Sequence, residues 1–282
     1  MNTDIFDFKR FGKYLLADFK SCISKYGTNM IILSFCGIAV WLVAKLFILL
    51  FTKSWTGGES LLPGLRTLLW FTVLFVTMLT VPSKCYGHLT DRSAGSKFLM
   101  LPASTLEKTA SMIINSIVIF AGVLLLFCCT DAIICFIDPN CGKNLFQRQG
   151  LVYLLTEGMK EFELDGFSTN GWNFAFVSGF LKDILIFLLG ALIFKKNKVA
   201  KTLGVMLLIS TAFSLILTPL SISIFGDMVT NANLNDAEVL ARMKDQFDWF
   251  YDYGITISIV WTSIVNLGLM VAVYFRVKTI KH

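Results

Sequence analysis

Four charged side chains interrupt otherwise apolar runs: Lys45, Asp131, Lys182 and Asp183. On insertion scales a charge at the centre of a helix in hydrocarbon costs roughly 2.5–3.5 kcal/mol. Such residues are placed there for a reason. The functional reason is a polar lining or an ion-paired gate along a pathway. The structural reason is snorkelling of Lys45 to the outer interface, or a fixed pair of Asp131 with Lys45 or with Lys182. By depth, Lys45 and Asp131 fall in the outer third of the apolar layer, and Lys182–Asp183 lie nearer its middle. Asn115 and Asn266 read as hydrogen bonds between helices.

Little else could do chemistry. His88 and His282 are the two imidazoles, too few for a metal site. The seven cysteines form no CxxC pair, sit mostly in apolar runs and read as small buried hydrophobes. The sequence holds no GxxxxGK[ST], GxGxxG, HExxH or GxSxG. A polytopic enzyme would need a nucleophile beside a base, and no such pair stands out. Basic residues lack the density of a nucleic-acid reader. The reading is therefore no catalytic site, no cofactor, no metal and no nucleic-acid partner.

The elements that hold these residues follow from composition. Of 282 residues, 55% are hydrophobic and 16% charged, against about 25% charged in a soluble domain. Mean hydropathy is +0.69. A globule of this size needs more polar surface than that. The apolar residues gather in continuous runs of about 20, the length that crosses a bilayer as a helix. The runs do not alternate as barrel strands would. The expectation is an all-α polytopic membrane protein, one domain over 1–282, with six spans at about 30–51, 67–81, 109–137, 174–194, 202–225 and 254–275. Pro82 is expected to end the second span, and Lys182–Asp183 to interrupt the fourth. Residues 1–29 are too polar for a signal peptide.

Orientation follows from Lys and Arg. Segments 1–29, 82–108, 195–201 and 276–282 carry 16 of them; 52–66, 138–173 and 226–253 carry 7. Basic residues favour the cytoplasm, so both termini are expected there, in a cell (inner) membrane. Ile5, Phe8, Phe11, Leu15, Phe19 and Ile23 recur at helical spacing, opposite Asp7, Lys9, Arg10, Lys13 and Lys20. This predicts an amphipathic interfacial helix ahead of the first span, on anionic lipid or on a partner. Two outer segments, Leu145–Phe162 and Ala237–Tyr253, predict short helices on the far side. Trp249, Phe250, Tyr251 and Tyr253 would form an aromatic belt there.

The loop after the second span is the most distinctive stretch. It holds Asp91-Arg92, Gly95, an apolar patch Phe98-Leu99-Met100, then Leu101-Pro102-Ala103-Ser104 and Lys108. Ser104 with Glu107 is a capping box that opens the third span, and Pro102 stops a short helix before it. This pattern and the six-span layout resemble the coupling region of ATP-binding-cassette type-2 exporter permeases. They are especially similar to small permease-like membrane proteins of Bacteroidetes-type bacteria.

The resemblance implies a permease subunit that moves an unread substrate by alternating access. It implies a separate P-loop ATPase partner and a homodimer or heterodimer with a second permease. Asp91, Arg92, Gly95, Phe98, Leu99, Leu101, Pro102 and Ser104 would couple to that ATPase. ATP hydrolysis would lie on the partner, and this chain would not itself be an enzyme. The alternative is a non-transporting membrane regulator or scaffold of the same build.

Overall fold

A computed structural model describes residues 6–52, 61–91, 95, 98, 100–138, 170–231 and 237–279. Among these the chain forms six α-helices and no strands. They are α1 (Phe8–Thr52), α2 (Leu61–Tyr86), α3 (Thr105–Ile137), α4 (Asn170–Ile193), α5 (Lys198–Asn231) and α6 (Ala237–Thr279). A 3-10 turn, Gly87–Thr90, follows α2. Five helices are long and apolar enough to cross a membrane: Phe8–Phe51, Leu68–Thr90, Thr105–Ile137, Lys198–Ile216 and Thr256–Thr279. This is the build of a multi-pass membrane protein.

Four expected boundaries or breaks are corrected. The amphipathic segment is not a separate interfacial helix: α1 runs unbroken for 45 residues through the junction at Tyr26–Met30. The one glycine there, Gly27, costs a helix only about 1 kcal/mol relative to alanine. Meanwhile Cys22 and Tyr26 are buried in the core on its near side and Trp41 and Lys45 on its far side. One face therefore packs along the whole length, while Phe8, Leu16 and Ile23 keep the other face open.

Pro82 does not end α2, which continues to Tyr86. Proline removes a ladder donor, but hydroxyls that bond to carbonyls one turn back relieve such sites in apolar helices. Thr77, Thr80 and Ser83 donate to the carbonyls of Val73, Val76 and Leu79 around it. The segment Ala237–Tyr253 is likewise not a separate helix but the first part of α6, which is 43 residues long. The helix of α4 also passes through Lys182 and Asp183 without a break. The proposed outer helix at 145–162 lies outside the described residues.

Helix directions follow from the contacts. Arg10 meets Glu107, Asp18 meets Asn115, Ser34 meets Thr130 and Lys45 meets Asp138, so α1 and α3 run parallel. Tyr26 meets Thr80 and Tyr86 meets Asp18, so α2 runs against α1. Asn266 bonds to Ser178 and Arg276 to Leu192, so α4 and α6 run parallel. The core fills the space between α1, α2, α3 and α4, with Met112, Val123, Leu188 and Leu192 fully enclosed. The α4–α5 connection is short, and Asn197 takes a left-handed conformation there (φ 50), which Asn tolerates better than most side chains.

α4 packs tightly on α5 at Gly190, where an added Cβ would run into Thr202 Oγ1 and lie 2.7 Å from its Cγ2. Only glycine permits that approach. Beyond this crossing α5 leaves the bundle: Leu207, Leu208, Ile209, Leu215 and Ile216 are all exposed.

Candidate functional site

The polar residues of the bundle collect at two ends and one middle. At one end lie the start of α1, the end of α2, the 3-10 turn, the start of α3 and the α4–α5 turn. Ser104 caps α3 with both halves of the capping box formed, as its spacing with Glu107 predicts. Glu107 also does more. Its carboxylate accepts from Arg10 Nη2 at 2.7 Å, Arg10 Nε at 3.0 Å, the Asp7 amide at 2.9 Å and the Ser104 amide at 2.8 Å. The side chain is fully buried. The Arg10 fork and the two amides supply the donors that a buried carboxylate needs.

Eight residues along, Asp18 Oδ2 accepts from Tyr86 Oη at 2.9 Å, Ser111 Oγ at 2.8 Å and Asn115 Nδ2 at 3.0 Å. One carboxylate thus ties α1 to α2 and α3. Cys22 and Cys85 are both buried close by. Lys25 Nζ lies over the His88 ring, 3.0 Å from Nε2 and 3.5 Å from Nδ1. Lys198 Nζ donates to the Gly87 carbonyl.

The loop residues divide into anchors and exposed groups. Phe98 is buried, and Lys108 Nζ donates to its carbonyl at 3.0 Å while lying 5.0 Å from its ring centroid. Gly95 is buried, has helical backbone and donates its amide to the Asp91 carbonyl. Ser104 is buried at the cap. Asp91, Leu101 and Pro102 are exposed, and Met100 is 83% exposed. Arg92 and Leu99 lie outside the described residues.

At the opposite end, two buried ion pairs join α1 and α2 to α3 and its C-cap. Arg66 holds Asp131 in a fork, Nε to Oδ1 at 2.8 Å and Nη2 to Oδ2 at 2.6 Å. Lys45 Nζ lies 2.6 Å from Asp138 Oδ2, where Trp41 Nε1 also donates at 3.4 Å. The expected Asp131 partners, Lys45 or Lys182, are thus replaced by Arg66. The reason is register: α2 begins at Leu61, six residues before the apolar run, and so carries Arg66 to the level of Asp131. Arg66, Asp138 and Asp18 escaped the sequence reading, and Arg10 entered it only as part of the basic face of the N-terminal helix.

In the middle, Lys182 and Asp183 lie 3.7 Å apart on α4, with side chains 38% and 35% exposed. Both expected interhelical asparagine bonds are present: Asn115 to Asp18, and Asn266 Nδ2 to the Ser178 carbonyl at 3.1 Å. Among the described residues no group of three or more His, Cys, Asp or Glu is placed to hold a metal ion.

These features define an all-helical chain with the build of a multi-pass membrane protein, polar clasps at both ends and a charged pair at mid-height. No protein-family model, curated protein or solved structure matches it.

Proposed function

We propose that this chain is the membrane-spanning subunit of an ATP-driven exporter, with its inner end docked on a separate P-loop ATPase. The observation that carries the reading is the build of the segment between α2 and α3. It is pinned from within by Gly95, Phe98, Lys108 and the Ser104–Glu107 cap, yet it presents Asp91, Met100 and Leu101 outward. A segment fixed to two helices and open on its far face is suited to pass a rigid-body push into a bundle. The Arg10–Glu107 clasp adds α1 to the same block.

The basic residues of the sequence favour placing this end in the cytoplasm. On that orientation α4 is the fourth of six spans. The substrate is not specified by any feature of the bundle.

The test is co-purification of the full chain with its ATPase from detergent. Asp91→Arg and Met100→Asp change exposed groups and are expected to weaken the association about tenfold or more while the chain still inserts. Gly95→Trp is expected to do the same by displacing the segment. Undiminished ATPase binding in inserted Asp91→Arg and Met100→Asp variants overturns the reading.

One observation favours a second reading, a non-transporting scaffold. The outer charges are paired with each other, Lys45 with Asp138 and Arg66 with Asp131. A scaffold predicts that no flux depends on the chain.

A further inference from the structure

Three elements bring basic side chains together at the turn that holds His88. The imidazole sits in the 3-10 turn Gly87–Thr90 that follows α2. Lys25, exposed on α1, holds its Nζ over the ring, 3.0 Å from Nε2 and 3.5 Å from Nδ1. Lys198, the first residue of α5, reaches the same turn and donates its Nζ to the Gly87 carbonyl. A Cβ on Gly87 would lie 3.2 Å from that Nζ, so glycine leaves the room that the ammonium occupies.

Neither contact supplies negative charge: one is with an imidazole, the other with a peptide carbonyl. The turn therefore carries a concentrated positive potential that an anion relieves. The acid on this turn, Asp91, is exposed, and Asp18 accepts from Tyr86, Ser111 and Asn115. Lys84, Lys195 and Lys196 are exposed in the same two stretches of chain. Beyond Asp91 the sequence adds Arg92 and Lys97, and no acid before Glu107.

The level matters as much as the charge. Lys25 precedes the apolar run that opens at Met30, Lys198 precedes the one that opens at Thr202, and His88 follows the one that closes at Val81. Each stands within about two helical turns of its run. In a membrane that is the depth of the lipid headgroups, just outside the hydrocarbon. α5 also begins here, and the amides of a first helical turn favour an anion.

We propose that Lys25, His88 and Lys198 bind one phosphate group, carried by an anionic lipid headgroup or free in solution. Phosphate fits because its oxygens can accept from two ammonium groups and an imidazole N–H at once. The lipid source rests on the membrane reading; the site itself rests on neither the ATPase nor transport.

The experiment is isothermal titration calorimetry of the purified full chain in detergent, with short-chain phosphatidylglycerol, short-chain phosphatidylcholine or inorganic phosphate as titrant. Phosphatidylglycerol is expected to bind more tightly than phosphatidylcholine, whose headgroup carries its own cation. Lys25→Gln and Lys198→Gln are each expected to weaken binding about fivefold, and the two together about twenty-fivefold. His88→Phe, which loses the N–H donor but keeps a ring, is expected to weaken it about two- to tenfold. Lys196→Gln removes an exposed charge of the same end and is expected to change it by less than about twofold. Lys25 is exposed, so Lys25→Gln leaves the packing intact, and thermal unfolding without titrant checks the fold of every variant.

Lys25-dependent binding of phosphatidylglycerol alone supports the site and assigns it to a lipid. Lys25-dependent binding of inorganic phosphate supports the site and assigns it to the phosphate group itself. A folded chain that binds neither titrant in a Lys25-dependent way overturns the inference. So does an equal loss in Lys196→Gln, which would leave only a diffuse positive surface, and so does phosphatidylcholine binding as tightly as phosphatidylglycerol.

Discussion

At the scale of single residues, the stability of this bundle hangs on carboxylates that each gather several donors. Glu107 is the clearest case, because it accepts from Arg10 and from the amides of Asp7 and Ser104. A hydrogen bond to a charged group contributes about 1.5–3 kcal/mol, and glutamine keeps the shape while removing the charge. Glu107→Gln is therefore expected to unfold at a lower temperature than wild type in detergent, and an unchanged midpoint would remove the clasp as a contributor.

The two buried ion pairs at the other end obey a different rule. Removing one partner takes this counter-ion from a buried charge, at a cost of about 3–5 kcal/mol, whereas replacing both with apolar residues is often neutral. Asp131→Leu alone is expected to unfold the chain at markedly lower denaturant, and Arg66→Met with Asp131→Leu to recover most of the loss. Equal damage in single and double variants would contradict the pairing.

The sequence made Lys45 and Asp131 stand out, since each breaks an apolar run. Their partners were not legible. Arg66 and Asp138 sit at the edges of such runs, where charges are ordinary, and pairing is fixed by register between helices. Asp18 did carry a signal: it follows Phe11 and Leu15 and precedes Cys22 and Tyr26 at three- and four-residue steps, a polar residue on an apolar stripe.

At the scale of elements, hydropathy marks where a helix meets lipid but not where the helix stops. That is why α1 and α6 are 45 and 43 residues long, about twice the apolar runs they contain. The capping box at Ser104 was readable because a cap is a local feature, set by side chains three residues apart. The Gly190–Thr202 crossing was not, because it depends on two helices meeting. Gly190→Ala forces α4 and α5 apart and is expected to cost roughly 1–3 kcal/mol as an overpacked contact. Thr202→Ala in the same chain removes the two nearest atoms, so the double variant should be more stable than Gly190→Ala alone, a non-additivity that thermal unfolding would reveal.

At the scale of the whole molecule, the contacts gather basic residues of four separate segments at one end of the bundle. Arg10, Lys84, Lys198 and Arg276 come from segments assigned by charge to one side, and the contacts of those segments bring them to one end. Which compartment that end faces is a separate matter and is open to test. An epitope inserted at the exposed Lys195–Asn197 turn and another after His282 are expected to be cleaved together by protease in inside-out vesicles and protected in right-side-out ones. Cleavage of the two on opposite sides would break the six-span layout. Function was the least legible level. The loop from Asp91 to Ser104 carries a pattern, but a docking surface takes its meaning from a partner that no residue here encodes.

The parallel pairing of α1 with α3 has a consequence for how the protein is made. Lys45 and its mate Asp138 are 93 positions apart, and Arg66 and Asp131 are 65 apart. At about 5–20 residues per second, Lys45 leaves the ribosome roughly 5–20 s before Asp138 is made. During biosynthesis neither of these two pairs can therefore form until the third helix arrives, and the outermost ties of the bundle are the last among its first three helices to close.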